Sequence, residues 1–498
     1  MQIKPLLNTL KLRWNTLKIV TWEKLLILGG FIGVCIGSLW GWQIPLIIIL
    51  NVITYWRSLK FHFICDDLSV FAMNIPKPKE YWKQLLMQAR GAAMWQPRFN
   101  HALNILVHTC VCCLIYIVCG RNHISFLAAL LFSISPNNNQ CSIWISGRWY
   151  AISAIIGLTM FLFQPLGPMW VWLSCFGSLN TLFTPLMFGF TAFPLYALLA
   201  LIPLTYHYKL IFQGQKMAQE SNDELGKFRP RKIIIYFKLL GWHLVNCIFG
   251  SKVSFYQPYL YTYGVDKTEN KKAYKPDVFM AIGIGYLLLT LGSFFWYNGQ
   301  WSMTWCLWWF LINMSMWCGL ITCNQINSMR YNYLANVGLM VALSILLQGH
   351  PFLTGLFLAG YFVRLWYFMP DYQNDYWHTE YFTCEEPKFF YVWMLRGNKR
   401  FAAGHFQEAL ANYNEAKLYR PKDFKLQYNI SSCWIGIGNT AAAKLAVNMA
   451  AAECVIDGKE KEIEAVVKDR INMLNAIEEK IAKKEPIQIP LESIRILN

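Results

Sequence analysis

The chain has 498 residues, of which 55% are hydrophobic, 16% aromatic and only 15% charged. Soluble domains carry about a quarter charged residues, so this composition excludes a purely soluble protein, and it equally excludes disordered, collagen-like and disulfide-scaffold chains. Lysine and arginine number 45 against 28 aspartate and glutamate residues, which gives a net charge of +17. Basic segments facing anionic lipid account for this excess, so we expect no nucleic-acid partner.

Apolar runs long enough to cross a membrane fill the chain from residue 25 to about residue 370. A hydrocarbon layer about 30 Å thick needs roughly 20 apolar residues per helix. The first run covers 25–56, and further spans are predicted at about 99–119, 123–136, 147–165, 167–182, 185–208, 277–297, 303–324, 329–348 and 352–369. The stretch 233–250 either spans or lies in the interface. The sequence therefore predicts an all-α, polytopic transmembrane helix bundle of about 10–11 spans, integral to a plasma, ER or organellar inner membrane.

Basic residues dominate segment 1–24 and the loop 209–232. This pattern favours the cytoplasmic side for both and places the first external loop, 57–98, on the opposite side. Four glycines recur every four residues in the first apolar run, at Gly29, Gly33, Gly37 and Gly41. Such a stripe lets another helix approach closely, so it predicts a transmembrane protein partner in addition to membrane lipids. The alternative is ordinary glycine enrichment in a membrane helix. The tryptophan-rich run 301–317 favours an interfacial belt over a partner surface.

After about residue 385 the composition becomes alanine-rich and charged. The run 395–421 resembles a tetratricopeptide repeat in its small and aromatic positions, which are Gly397, Ala409, Tyr413, Ala416 and Pro421. A weaker copy follows 34 residues later, and a charged helix at about 458–484 would cap the stack. The predicted organisation is a basic segment 1–24, a transmembrane domain 25–370, a linker 371–385, a repeat domain 386–484 and a tail 485–498. The repeats would offer a concave surface to a protein partner, or would form a hairpin that packs on the membrane domain.

Polar residues cluster near the predicted ends of membrane segments, where ionisable side chains are costly and indicate function. Asp66 and Asp67 follow the first apolar run, and adjacent carboxylates can hold a divalent metal or provide a general base. The other polar sets are His101, Asn104 and His108 on one helical face, Arg148 at the end of block 135–148, and Arg330 with Tyr331 in block 329–338.

In this order, these blocks and the repeats resemble the polytopic glycosyltransferases of the GT-C class, in particular the protein O-mannosyltransferase branch with repeats and its bacterial relatives. The resemblance covers roughly residues 25–480. It implies transfer of a sugar from a polyprenyl- or dolichyl-phosphate carrier to a protein, with a divalent cation as a possible cofactor. It also implies Asp66 or Asp67 as catalytic acid/base or metal ligand. The implied lipid-phosphate and substrate-binding residues are His101, Asn104, His108, Arg148, Arg330 and Tyr331.

Five positions depart from the family pattern by lacking its ionisable residues: Ser135, Asn138, Gln140, Tyr150 and Met329. Glutamine and asparagine preserve shape and hydrogen bonding but remove the titratable proton that acid–base catalysis needs. These departures predict a degenerate transferase core that serves as a structural subunit of a membrane assembly and docks a partner through its repeats. The alternative is a working transferase that uses Asp66 or Asp67. A transporter is disfavoured, because no inverted repeat of broken helices is evident.

Overall fold

The computed structural model of the chain describes residues 42–64, 67, 97–162, 181–191, 194–202, 204–205, 232–250, 259–260, 274–320, 328–421, 423–457, 460–483 and 496. All regular elements among these residues are helical, as the sequence predicts. The described residues form two units, one ending at Asn374 and the other starting at Asp375. We call them the membrane domain and the helical domain.

The described α-helices of the membrane domain alternate with short 3-10 turns and one π turn. The α-helices are α1 (Gln43–Tyr55), α2 (Pro97–Val118), α3 (His123–Ser133), α4 (Asn139–Ser142), α5 (Arg148–Leu162), α6 (Lys232–Phe249), α7 (Val278–Ser293), α8 (Met303–Ser315), α9 (Asn332–Leu347) and α10 (Pro351–Phe368). The 3-10 turns are Trp56–Lys60, Pro136–Asn138, Ile145–Gly147, Thr184–Phe190, Pro194–Ala200, Phe294–Trp296, Met329–Tyr331 and Met369–Tyr372, and a π turn covers Met316–Leu320.

Within the described residues, six helical stretches are long and apolar enough to cross a membrane: Pro97–Val118, Ile145–Leu162, Lys232–Phe249, Val278–Trp296, Met329–Leu347 and Pro351–Tyr372. Five of them agree with predicted spans to within a few residues. The sixth, Lys232–Phe249, covers the stretch 233–250 and is long and apolar enough to cross a membrane. The fold is therefore compatible with a multi-pass membrane protein.

The predicted total of 10–11 spans is not reached by the helices in the described part of the chain. Helix α3 has only 11 residues. The predicted span 185–208 contains two 3-10 turns instead of one long helix. Prolines at 185, 194 and 203 interrupt that stretch, since proline cannot donate the backbone hydrogen bond of a helix interior. Several predicted features lie outside the described residues: segment 1–24, Gly29, Gly33, Gly37, Gly41, Asp66, most of the loop 57–98, most of the span 167–182, the loop 209–231 and most of the tail 485–498.

Helices α6 and α7 cross with their backbones in contact. A Cβ atom on Gly241 would lie 2.0 Å from the carbonyl oxygen of Phe279, and one on Gly283 would lie 2.0 Å from that of Phe237. Only glycine permits this approach, because any side chain would push two rigid helices apart. The crossing therefore depends on two glycines that face each other.

Replacing Gly283 by alanine is expected to destabilise the membrane domain by about 1–3 kcal/mol, because the new methyl overlaps backbone that cannot move aside. Gly285 on the same helix is a matched control, since a Cβ there meets nothing within 4 Å. Gly285→Ala should be neutral or slightly stabilising, as alanine favours helix over glycine. Thermal unfolding in detergent measures both. Equal midpoints for the two variants would show that the helices do not cross at Gly283.

The tryptophans of α8 pack inside the membrane domain. Trp305 and Trp309 are fully buried and stack on each other with ring centroids 4.9 Å apart. The Trp309 indole N–H donates to the carbonyl oxygen of Leu334 at 2.9 Å, and Phe161 meets both rings edge-on. These two residues therefore join α8 to α5 and α9, and the expectation of an interfacial belt is wrong for them.

The helical domain contains two helical hairpins flanked by single helices. Its helices are α11 (Asp375–Glu385), α12 (Phe390–Ala402), α13 (Phe406–Tyr419), α14 (Phe424–Ile437), α15 (Thr440–Asp457) and α16 (Glu460–Ala482). The hairpins α12–α13 and α14–α15 begin 34 residues apart, at Phe390 and Phe424, as the repeat period predicts. Each turns at a glycine with positive φ, Gly404 at 79° and Gly438 at 88°.

The small positions predicted for the first hairpin are buried where its helices meet. Ala409 and Ala416 are 0% exposed. A Cβ on Gly397 would lie 2.5 Å from the ring of Tyr413, whose hydroxyl donates to Asn398 Oδ1 at 2.7 Å. The ring of Tyr413 therefore occupies the space that a side chain at position 397 would take, so only glycine fits there. Pro421 follows the end of α13, as expected of a residue that cannot extend a helix.

Residues 371–385, predicted as a linker, are largely helical. They contain the end of a 3-10 turn and all of α11. In α11, Glu380 accepts hydrogen bonds from Arg396 at 2.8 Å and Arg400 at 2.5 Å, both on α12. Asp375 pairs with Lys399 at 2.7 Å. Helix α11 is thus the first packed element of the helical domain and is held by charge pairs.

Candidate functional site

Residues 134–147, which we call the junction, connect α3 to α5 and fold back on themselves. The side chain of Asn138 donates to the Phe132 carbonyl oxygen at 2.7 Å, and Ser142 Oγ donates to the Asn138 carbonyl oxygen at 2.9 Å. A Cβ on Gly147 would lie 1.9 Å from the carbonyl oxygen of Gln140, so the two ends of the junction touch. All junction residues except Ser146 are buried. The junction is therefore a compact polar segment enclosed by apolar helices.

Asp67 binds the junction through both carboxylate oxygens and is 0% exposed. Its Oδ1 accepts from the Ser146 backbone N–H at 3.0 Å and from Ser146 Oγ at 2.6 Å. Its Oδ2 accepts from the backbone N–H of Ile64 at 3.2 Å. Three donors within the protein thus engage the carboxylate, which connects Ile64 and Asp67 to the junction.

Burial raises the pKa of Asp67 from 3.8 to about 6, because the ionised form loses its hydration. The hydrogen bonds from Ser146 and Ile64 and the positive charge of Arg148 oppose this effect. Most of the population is therefore ionised at pH 7. An ionised carboxylate accepts hydrogen bonds only, which is what its three neighbours require.

Arg148 is the first residue of α5 and is 2% exposed. Its Nε donates to Asn104 Oδ1 at 2.5 Å. Its Nη2 donates to the Asn100 carbonyl oxygen at 2.8 Å and to Asn100 Oδ1 at 3.2 Å. Its Nη1 is buried and has no hydrogen-bond partner among the residues that the structure describes. The hydrogen-bonded neighbours are neutral, and Asp67 supplies the negative charge that acts on this guanidinium.

His101 and Asn104, on the first turns of α2, bind the junction backbone. His101 Nδ1 donates to the Ile143 carbonyl oxygen at 3.0 Å, and since a carbonyl only accepts, this nitrogen carries a hydrogen. Asn104 Nδ2 donates to the carbonyl oxygens of Ile143 at 3.2 Å and Trp144 at 3.0 Å. Both side chains therefore hold the junction against α2, as their shared helical face predicts.

His108 lies two helical turns further along α2 in an aromatic environment. Its Nε2 donates to the Ser133 carbonyl oxygen at 3.2 Å, and its Nδ1 accepts from the Tyr333 hydroxyl at 2.5 Å. Its ring lies against Phe132 and meets Tyr55 edge-on. Both ring nitrogens are engaged within the protein, so His108 joins α2, α3 and α9 as a buried, neutral side chain.

Arg330, two residues before α9, is in contact with three aromatic rings. Its guanidinium carbon is 5.4 Å from the ring centroid of Trp144, 5.8 Å from that of Tyr150 and 5.2 Å from that of Tyr331. Its Nε donates to the Tyr150 hydroxyl at 3.1 Å, and Trp317 stacks on Tyr331 at 4.1 Å. Cation–π contacts of this kind stabilise a charge partly removed from water. Among the described residues no carboxylate forms an ion pair with Arg330.

Two of the positions that differ from the pattern of the resembled family, Gln140 and Ser135, form neutral hydrogen bonds between the junction and the start of α9. Gln140 Oε1 accepts from Ser328 Oγ at 3.0 Å and from the Arg330 backbone N–H at 3.1 Å. Ser135 Oγ accepts from Asn336 Nδ2 at 3.3 Å. The other three positions that differ from that pattern are close by. Asn138 lies within the junction, the Tyr150 hydroxyl accepts from Arg330, and Met329 is buried next to Arg330 in the chain.

The fold brings most of the predicted site residues to the junction, on two sides of it. Asp67, His101, Asn104 and Arg148 surround one part, while Gln140, Tyr150, Arg330 and Tyr331 surround the other. Trp144 links them, because its carbonyl oxygen binds Asn104 and its ring faces Arg330. Within the described part of the chain, no three His, Cys, Asp or Glu residues come together to hold a metal ion.

Three residues of the site are not among the predicted site residues: Asn100, Ser146 and Trp317. Asn100 accepts from Arg148, Ser146 donates to Asp67, and Trp317 stacks on Tyr331. Asn100 lies one helical turn before Asn104, so its position carried a usable signal. The contacts of Ser146 and Trp317 span 79 residues and 14 residues of chain respectively, and only the tertiary fold reveals them.

Comparison of the chain with protein-family models, with curated proteins and with solved structures finds no match. The resemblance to GT-C glycosyltransferases with tetratricopeptide repeats therefore stays a prediction that rests on the sequence blocks.

Proposed function

We propose that the protein is a structural subunit of a membrane assembly, built on a glycosyltransferase-like core that has lost catalysis. The state of Asp67 carries this proposal. A general base or metal ligand needs an oxygen that faces the substrate or the ion. Here Ser146 and Ile64 supply three donors to a carboxylate that is 0% exposed. The carboxylate thus serves to connect Ile64 to the junction through Ser146.

The neutral residues at the substituted positions support the same proposal. Gln140 and Ser135 connect the junction to α9 by hydrogen bonds that need no titratable proton. Arg330 is surrounded by aromatic rings. In this proposal the helical domain docks a protein partner, and the long apolar helices hold the subunit in its membrane.

Purification of the tagged full chain in a mild detergent, followed by mass spectrometry, tests the scaffold. We expect at least one other protein to accompany it in stoichiometric amount through two chromatographic steps. A helical membrane protein of the same host, tagged and purified in the same way, identifies non-specific companions. A monodisperse preparation that contains this chain alone contradicts the scaffold.

A working transferase is the second candidate, and the open Nη1 of Arg148 favours it. A buried guanidinium N–H without a partner is costly and is satisfied when a ligand oxygen arrives. The test uses polyprenyl-phosphate-mannose and polyprenyl-phosphate-glucose as donors with the solubilised chain. Transfer that disappears in Asp66→Asn of unchanged thermal stability, or that falls in Asp67→Asn by more than the loss of folded protein, establishes the enzyme. Absence of transfer with both donors favours the scaffold.

The last residues of the membrane domain lie next to residues 61–64, which follow α1. This contact determines where the chain leaves the membrane domain. The backbone N–H of His62 donates to the carbonyl oxygen of Gln373 at 2.8 Å. Because residue 374 immediately precedes the helical domain, we expect that domain to share a membrane side with the loop 57–98.

Cysteines introduced by Lys79→Cys and Glu415→Cys should react with a membrane-impermeant maleimide from the same side of sealed vesicles. A cysteine from Glu220→Cys, in the basic loop 209–232, should react only from the opposite side. The parent chain gives the background from its native cysteines. Reaction of position 415 together with position 220 would contradict this arrangement.

A further inference from the structure

Helices α1 and α2 of the membrane domain pack against each other in opposite directions. The ring of Tyr55, the last residue of α1, meets His108 edge-on with ring centroids 5.2 Å apart. The ring of Phe61 meets His101 edge-on with centroids 6.1 Å apart. The end of α1, the 3-10 turn 56–60 and the first turn of α2 therefore lie at one end of the membrane domain, where His101 binds the junction.

The outward side of α1 leads to a basic residue at this end. Ile48, Val52 and Trp56 follow each other at four-residue spacing, which places them on one side of the helix. Ile48 is 42% exposed and Trp56 is 47% exposed. Lys60, which is exposed, ends the 3-10 turn that follows α1. This stripe is therefore apolar along α1 and basic at its end.

Helix α2 presents a similar stripe that runs away from the same end. Arg98, Ala102, Leu106 and Cys110 recur every four residues, and all four are exposed. Leu106 is 58% exposed, and Phe99, next to Arg98, is 42% exposed. The stripe covers twelve residues of helix, or about 18 Å. That length is close to one leaflet of a hydrocarbon layer about 30 Å thick.

Lys60 and Arg98 are two exposed cations at the same end of two packed helices. Among the described residues, no carboxylate forms an ion pair with either of them. Asp67, the described carboxylate that follows Lys60 most closely in the chain, is 0% exposed and accepts from Ser146 and Ile64. The two like charges repel each other, so an anion that lies close to both would be attracted by each.

We propose that this end of α1 and α2 binds an acidic phospholipid. Lys60 and Arg98 contact its phosphate group, and its acyl chains lie along the two apolar stripes. Trp56 and Phe99 lie beside the two cations, at the headgroup level that aromatic side chains favour. The apolar stripes favour a phospholipid over a free phosphate ion, which would contact the cations alone. This site does not depend on the proposed scaffold function.

Titration of the solubilised full chain with fluorescent phosphatidylglycerol, and separately with fluorescent phosphatidylcholine, tests the site. We expect the parent chain to bind phosphatidylglycerol more tightly. A lysine or arginine near a membrane surface strengthens the binding of anionic lipid by about fivefold. Lys60→Gln or Arg98→Gln should therefore weaken phosphatidylglycerol binding by about fivefold, and the double variant by about 25-fold. High salt should weaken it as well, because interactions between exposed charges are screened.

Two controls separate the lipid site from a general effect of charge or folding. Lys480→Gln removes an exposed lysine from α16, outside the membrane domain, and should leave the affinity unchanged. A chain with both Lys60→Arg and Arg98→Lys keeps the two charges and should keep the affinity for phosphatidylglycerol. Equal affinity of the parent chain for both lipids, or unchanged affinity in the double glutamine variant, overturns the site. Displacement of the lipid by inorganic phosphate at millimolar concentration shows a free-phosphate site and overturns the proposal too.

Discussion

Replacing Asp67 by alanine is expected to destabilise the membrane domain by about 3–5 kcal/mol, because three donors in this buried site would lose their acceptor at about 1–3 kcal/mol each. These donors are the Ser146 backbone N–H, the Ser146 hydroxyl and the Ile64 backbone N–H. The midpoint of thermal unfolding in detergent should fall, and the yield of folded protein should fall with it.

Two graded variants show whether the hydrogen bonds cause this loss. Ser146→Ala removes the hydroxyl donor alone and should cost about 1.5–3 kcal/mol, the range for a hydrogen bond to a charged group. Asp67→Asn keeps the shape but turns an amide N–H towards the Ile64 N–H or towards Ser146, so its cost should lie between those of Ser146→Ala and Asp67→Ala. An Asp67→Ala protein as stable as the parent would show that the carboxylate has a role other than fastening.

Replacing Gly147 by alanine is expected to destabilise the membrane domain by about 3 kcal/mol, at the upper end of the cost of overpacking. The new methyl would lie 1.9 Å from the Gln140 carbonyl oxygen and 2.9 Å from its carbon, so it displaces main chain instead of a side chain. Relief requires the junction to open, and opening it would separate Gln140 from Ser328 and from the Arg330 backbone.

Gly157→Ala, in helix α5 directly after the junction, is the control for Gly147→Ala. Its Cβ would meet the end of the Leu334 side chain at 3.2 Å, which can rotate away. Both substitutions restrict the unfolded chain equally, so their difference reports the folded state. Similar unfolding midpoints for the two variants would mean that the junction ends are not in contact.

Hydropathy predicted most of the membrane-domain helices, because the cost of burying backbone in lipid imposes long apolar helices. The predicted spans 99–119, 147–165, 277–297, 329–348 and 352–369 all correspond to helices of suitable length. The hydropathy prediction is wrong at 185–208, where prolines divide an apolar run that hydropathy alone scores as continuous. There the missing backbone donors of proline shorten the helical turns although the residues are apolar.

Periodicity placed His101, Asn104 and His108 on one face of α2, and all three are buried. It could not show that His101 meets the junction while His108 meets Tyr333, since a helical face has length as well as direction. The role of Ser146 depends on a residue 79 positions earlier in the chain. The sequence contains these residue types but not the long-range pairings between them.

In the helical domain, too, local features were predictable from the sequence and long-range contacts were not. The small residues of the repeat gave its period and its turns, because glycine at positive φ and alanine at helix contacts are local requirements. The sequence predicts a linker at residues 371–385, whereas the structure contains α11 there. Its stability comes from Glu380 and the arginines of α12, which the fold brings together.

The amide and hydroxyl groups of the junction also determine which of its hydrogen bonds depend on pH. Gln140, Asn138 and Ser135 hold their hydrogen bonds without gaining or losing a proton, so these bonds are the same in a neutral and an acidified compartment. Asp67, whose pKa lies at about 6, is the neighbouring group that acidification reaches. A protein that moves between compartments of different acidity would therefore keep these hydrogen bonds between the junction and α9, while protonation of Asp67 would alter the contact between its carboxyl group and Ser146.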